Sequence, residues 1–105
     1  MPASHRTAHV QQFAQEAPAF ASLMRQMEVA RARMDVIRPL LPPALRAQVQ
    51  PGALGQESWS LLAPNAAAAA RLRQQAPALL GALQRAGHEV ERLDIKVRAP
   101  SAAFF

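Results

Sequence analysis

Seven carboxylates, three histidines and twelve cations are the groups in this 105-residue chain with the means to do chemistry. Hydrolytic or redox catalysis needs a nucleophile beside a base, a pair of carboxylates in two environments, or a metal cluster. Glu16, Glu28, Asp35 and Glu57 are scattered, whereas Glu89, Glu91 and Asp94 gather with His88 and Arg92 near the C-terminal end. That mixture of signs reads as a solvated turn with local ion pairs, not as an acid–base dyad. His5 and His9 have the i, i+4 spacing of a metal pair on a helix, but no third ligand is near them. There is no Cys, so no disulfide framework, thiolate nucleophile or Cys-ligated metal. The sequence therefore predicts no enzyme, no metal and no cofactor.

What remains is positive charge. Twelve basic residues stand against seven acidic ones, a formal net charge of +5, and eleven of the twelve are Arg. Arg holds phosphate or carboxylate in a bidentate fork that Lys cannot match. The balance fits a nucleic-acid partner or an acidic protein surface, although a genome rich in G and C would also enrich Arg and Ala. Arg71, Arg73 and Gln74 near the start of a predicted helix, with Lys96 and Arg98 on the outer face of the last predicted strand, form the best cluster. The positive end of that helix's dipole adds to it. Such a cluster contacts phosphates without reading bases. Gly52-Ala53-Leu54-Gly55 has the GxxG form of a loop that clamps a nucleic-acid backbone between two helices, but here it falls in a hairpin and lacks a basic residue.

The elements that must position these groups follow from periodicity. Residues 1–16 have no clear period and read as a flexible N-terminal arm, and the first nine lack the apolar core of a secretory signal. From Pro18, placed for a first helical turn, Phe20, Leu23, Met24, Met27, Ala30, Met34 and Ile37 recur at spacings of three and four. This stripe reads as core, with Arg31 inside it and Asp35 one turn on as its ion-pair partner. Pro39, Pro42 and Pro43 end the helix near Ile37 or Arg38 and lead into one short helical turn. Val49 to Leu54 and the alternating Trp59, Leu61 and Ala63 make a hairpin, its first strand short and at an edge because Pro51 cannot donate to a ladder. Trp59 reads as core and not as a stacking platform.

Asn65 stands as N-cap of a helix running to about Ala86, where Gly87 is the stop. Ala69, Leu72, Ala76, Leu79, Leu80 and Leu83 line one side of it, and Pro77 inside it predicts a kink or a restart. Leu93, Ile95 and Val97 then alternate with Asp94, Lys96 and Arg98 in a strand with one buried face. Residues 100–105 are a short tail, whose Phe104 and Phe105 either anchor a partner or pack back on the domain. The order is α-β-β-α-β: an α+β domain over residues 17–99, with a three-stranded sheet and helices on one face, the minimal K-homology-like arrangement. No apolar run approaches the ~18–20 residues of a membrane span, so the cytoplasm is the expected address.

Leu40-Leu41-Pro42-Pro43-Ala44-Leu45-Arg46, then Gly52, Trp59-Ser60-Leu61-Leu62, Asn65 with its alanine run into Arg71-Leu72-Arg73-Gln74, Pro77-x-Leu79-Leu80 and Leu93-x-Ile95-x-Val97 together resemble the DciA family of bacterial proteins. The resemblance covers about residues 20–98. It implies a K-homology-like fold and a role as operator or loader of the replicative helicase DnaB. It also implies weak, sequence-independent DNA binding through basic residues, carried here by Leu72-Arg73-Gln74, Lys96 and Arg98. Longer relatives have an extended basic tail and a Trp after the first helix, both missing here. The expected function is a non-enzymatic DNA-replication accessory protein that binds DNA backbone and contacts DnaB. Two other readings stand beside it: a protein-interaction module using the Met stripe or the Phe104–Phe105 tail, and a degenerate K-homology RNA binder.

Overall fold

The computed structural model describes residues 2–99, with side chains from Ala17 onward. His5 and His9 in the arm, and Phe104 and Phe105 in the tail, lie outside the described side chains. The chain begins in a helix, α1 (Pro2–Ile37), followed by a 3₁₀ turn at Arg38–Leu40 and a one-turn helix, α2 (Pro43–Arg46). Strands β1 (Gln50–Leu54) and β2 (Ser58–Ala63), helix α3 (Ala66–Arg85) and strand β3 (Arg92–Val97) complete it. This is the expected α+β class, and its element order is compatible with a K-homology-like arrangement.

The sheet has the order β1-β2-β3, with β1 antiparallel to β2 and β3 parallel to it. Parallel pairing of β2 with β3 requires a crossover, which α3 supplies. Trp59, Leu61 and Ala63 alternate on one face of the central strand and are fully buried with Ile95 beside them. Ala68, Ala69, Leu72, Leu79 and Leu83 of α3 close over this face, and Met34 and Ile37 of α1 join Leu41, Leu45 and Val49 to complete one core. Two alanines in the first turns of α3 are buried, and their small size lets the helix lie close to the sheet.

Local chemistry explains the element ends. The Asn65 side chain accepts a hydrogen bond from the Ala68 amide at 2.9 Å, a side-chain cap on an otherwise unsatisfied donor. At the other end Gly87 adopts φ +92, and the His88 and Gly87 amides return to the Leu83 and Gln84 carbonyls at 3.0 Å each, a Schellman stop. Pro77 does not divide α3, which runs through it as a single helix. Gly52 is required by contact: a Cβ there would stand 2.9 Å from Ser60 Cβ and 3.1 Å from the Ser60 carbonyl. The two glycines of the GxxG match thus belong to β1 and its turn, where the Gly55 amide bonds the Ser58 carbonyl at 2.8 Å.

Four expectations change. The helix begins at Pro2, so Pro18 lies inside α1 and not in its first turn. Phe20, Leu23, Met24 and Met27 are exposed, because only the last turns of α1 reach the sheet. The buried side there is centred on Arg33, Met34 and Ile37, which turns Arg31 outward. No Arg31–Asp35 ion pair forms, and the salt bridge among the described residues is Arg92–Asp94 at 3.2 Å on the surface. Val97, expected in the buried face of β3, is 46 % exposed, since α3 covers that strand only as far as Ile95.

Candidate nucleic-acid interface

Arg73 is the cation that the fold holds most firmly among the expected site residues. From α3 its Nη2 donates to the Ile95 carbonyl of β3 at 3.0 Å. In β3 the even-numbered residues turn their backbone groups toward β2: the Arg92 amide bonds Glu57 and the Arg98 amide bonds Ala63 at 2.7 Å. Leu93, Ile95 and Val97 therefore turn theirs to the open edge of the sheet, and Arg73 occupies one of those edge carbonyls. Arg73, Ala76, Leu93, Asp94, Ile95 and Lys96 line a shallow concavity between α3 and this edge, where the Asp94 carboxylate is taken up by Arg92. A guanidinium carries five N–H donors, so most of the Arg73 fork stays available to an anion laid along the edge.

The remaining expected residues are distributed around this point. Ile95 faces the core, so Lys96 and Arg98 project from the opposite face of β3, both exposed. The bond from Arg98 to Ala63 sets Arg98 at the end of the sheet where the chain enters α3. Arg71 and Gln74 are exposed on α3, but Arg71 and Arg73 are separated by the single residue Leu72, which turns them about 200° apart around the helix and onto different flanks. The structure joins Arg73 to β3 and Lys96; it does not gather all five residues at one spot.

Several other arginines are held by the fold. Arg46 Nε donates to the Leu41 carbonyl at 3.0 Å, and Arg38 Nε donates back to the Arg46 carbonyl at 3.3 Å, tying the 3₁₀ turn to α2. Arg92 serves Asp94. Arg33, only 8 % exposed, lies with its Cζ 5.6 Å from the centre of the Trp59 ring. Its Nε and Nη1 are buried without an acceptor, as is Trp59 Nε1. Desolvation lowers the Arg33 pKa from its ordinary value, yet an arginine stays protonated at any working pH. The cation–π contact is what offsets its burial, with about 0.5–2 kcal/mol. Sequence reading missed Arg33; its position four residues before Ile37 was the available signal.

The carboxylate-rich end, where Glu57, Glu89 and Glu91 surround His88 and Gln84, forms a separate open concavity. Gln84 Nε2 there donates to the Val90 carbonyl at 2.9 Å and holds the turn before β3. Among the described residues no cluster of three metal-ligating side chains occurs. Among them, too, no helix is long and apolar enough to cross a membrane.

The family model described as "Dna[CI] antecedent, DciA" matches residues 9–95. The chain belongs to the DciA family. No curated protein matches it. DciA membership implies a role in replication related to loading of the helicase DnaB, in an accessory family and not a known enzyme family. The matched span takes in α2, the hairpin, α3 and β3 as far as Ile95, so Arg71, Arg73 and Gln74 lie inside it and Lys96 and Arg98 just beyond.

Proposed function

We propose that this DciA-family chain is a non-enzymatic replication accessory protein that holds DNA by its phosphate backbone along the α3–β3 edge and contacts DnaB through a different surface. Residues 17–99 are the acting domain, with 1–16 as an arm and 100–105 as a tail, and no cofactor takes part. The observation that carries the reading is the family match over residues 9–95. The DNA contact is supported by Arg73, fixed on the β3 edge beside Lys96, with Arg98 and Arg71 adding charge at the same end of α3. Fixed cations suit phosphate contact because little side-chain freedom is lost on binding. Gln74 lies among them as a neutral donor. With Trp59 buried and Phe20 out on α1, the α3–β3 edge offers no aromatic platform for base stacking, and backbone contact is sequence-independent and salt-sensitive.

The test is direct titration of labelled single-stranded DNA, duplex DNA and single-stranded RNA at low salt. Comparison is with an Arg71→Ala/Arg73→Ala/Lys96→Ala/Arg98→Ala variant. DNA binding that the variant loses supports the proposal. Binding that the variant keeps, or none in the wild type, refutes it, and a clear preference for RNA transfers the site to the RNA-binding reading. The exposed apolar side of α1 favours the second reading, a protein-interaction module without a nucleic-acid role. That reading predicts DnaB capture by the fourfold variant with no DNA affinity in either protein.

A further inference from the structure

Phe20, Leu23, Met24 and Met27 stand on α1 with 65, 52, 41 and 58 % of their surface exposed. A contiguous apolar patch of this kind on a small protein marks an interaction surface. Its pattern identifies the kind of partner. Ala17, Phe20, Met24, Met27 and Arg31 recur at spacings of three and four, two heptads of an exposed seam that stops where Met34 turns into the core. Leu23 and Ala30 flank the seam on one side, and Glu28 and Asp35 on the other. Toward the sheet the seam runs into a groove between α1 and Pro51 of β1, whose walls include Met24, Met27, Arg31 and Arg38. Heptad spacing specifies a second helix laid nearly along α1, with knobs entering holes. Unbranched methionines let the seam fit a partner that is not its mirror image.

Charge separates the occupants. Two copies of α1 side by side in parallel would set Arg31 against Arg31 at equivalent seam positions. In the antiparallel sense, the Glu28–Asp35 flanks would face each other. Like charges meet either way, which argues against a second copy of this chain. We infer that this face of α1 docks an amphipathic helix of another protein. That helix carries apolar residues at heptad spacing, Glu or Asp opposite Arg31 and Arg38, and Lys or Arg along the flank that meets Glu28 and Asp35. This rests on the reading of the chain as a partner-binding accessory protein and gives the protein contact its own surface, apart from the α3–β3 edge.

The experiment uses a labelled, heptad-patterned helical peptide with Glu at the positions meeting Arg31 and Arg38, and a twin with Lys there, titrated against the full chain. The Glu peptide binds at least about tenfold tighter than its twin, about 1.4 kcal/mol over the two charge positions together, and Arg31→Glu narrows or reverses that preference. Met24→Glu/Met27→Glu abolishes binding and leaves thermal unfolding unchanged, because both side chains are exposed. Equal affinity for the two peptides, or binding indifferent to Met24→Glu/Met27→Glu, overturns the proposal. So does a homodimer in sedimentation velocity that Met24→Glu/Met27→Glu dissolves. Parallel titration with DnaB keeps the two readings apart. Loss of DnaB affinity in Met24→Glu/Met27→Glu supports both. Discrimination between the peptides, in a chain that DnaB does not bind, upholds the docking face and refutes the helicase contact alone.

Discussion

Arg73 and Arg71 are both exposed arginines of α3, but the fold treats them differently. The bond from Arg73 Nη2 to the Ile95 carbonyl fixes one guanidinium before any ligand arrives, while Arg71 has no such anchor among the described residues. Arg73→Ala is therefore expected to weaken DNA binding more than Arg71→Ala at the same salt, and fluorescence anisotropy of the two variants measures it. Equal losses would mean that only net charge matters. Arg33 illustrates the other use of arginine, as a cation stacked on buried Trp59 with two donors left unmatched. An uncompensated buried charge is costly, and an apolar residue of similar length often replaces it without loss. Arg33→Met should melt at or above the wild-type temperature. Arg33→Ala, which removes the packing as well, should melt below it. Because the lowered pKa still leaves Arg33 charged at working pH, this penalty is constant from acid to neutral conditions. It would be relieved only as pH rises through the folded-state pKa, far on the alkaline side.

At the scale of elements, α3 and the hairpin were legible because their signals are local. The Asn65 cap, the buried Ala68–Leu72 side, the Gly87 stop and the β2 alternation each follow from residues within one or two turns. Asn65→Ala is expected to cost about 1 kcal/mol of stability, measurable by chemical denaturation. Gly52→Ala should cost about 1–3 kcal/mol, as overpacking against Ser60 does elsewhere. The side of α1 that faces the core was not legible. Seven apolar residues share a stripe, and periodicity says that they share a side without saying whether anything lies against it. Tertiary length decides: only the last turns of α1 reach the sheet, so Met34 and Ile37 are buried while Phe20 to Met27 stay outside. The same offset brought Arg33 inward in place of Arg31. For the candidate interface, the sequence indicated the charged residues of α3 and β3, but the link from Arg73 to Ile95 spans 22 residues and depends on the crossover.

As a whole, the molecule keeps its surfaces apart. The described Cα atoms span 63 × 43 × 20 Å, a length set by α1, whose 36 residues rise about 54 Å. The apolar face lies along that projecting helix, the cations of Arg73, Lys96 and Arg98 at the α3–β3 edge, and Glu57, Glu89 and Glu91 at the opposite end of β3. This separation suits an accessory protein that holds DNA and a protein partner at once. The measurement that tests the central claim most directly is the slope of log affinity for DNA against log salt concentration. If Arg71, Arg73, Lys96 and Arg98 each neutralise one phosphate, the slope is about −3.6 on duplex and about −2.8 on a single strand. Each Ala substitution among them should flatten it by about one phosphate's share. A slope that the fourfold variant leaves unchanged would place the DNA contact elsewhere and contradict the account.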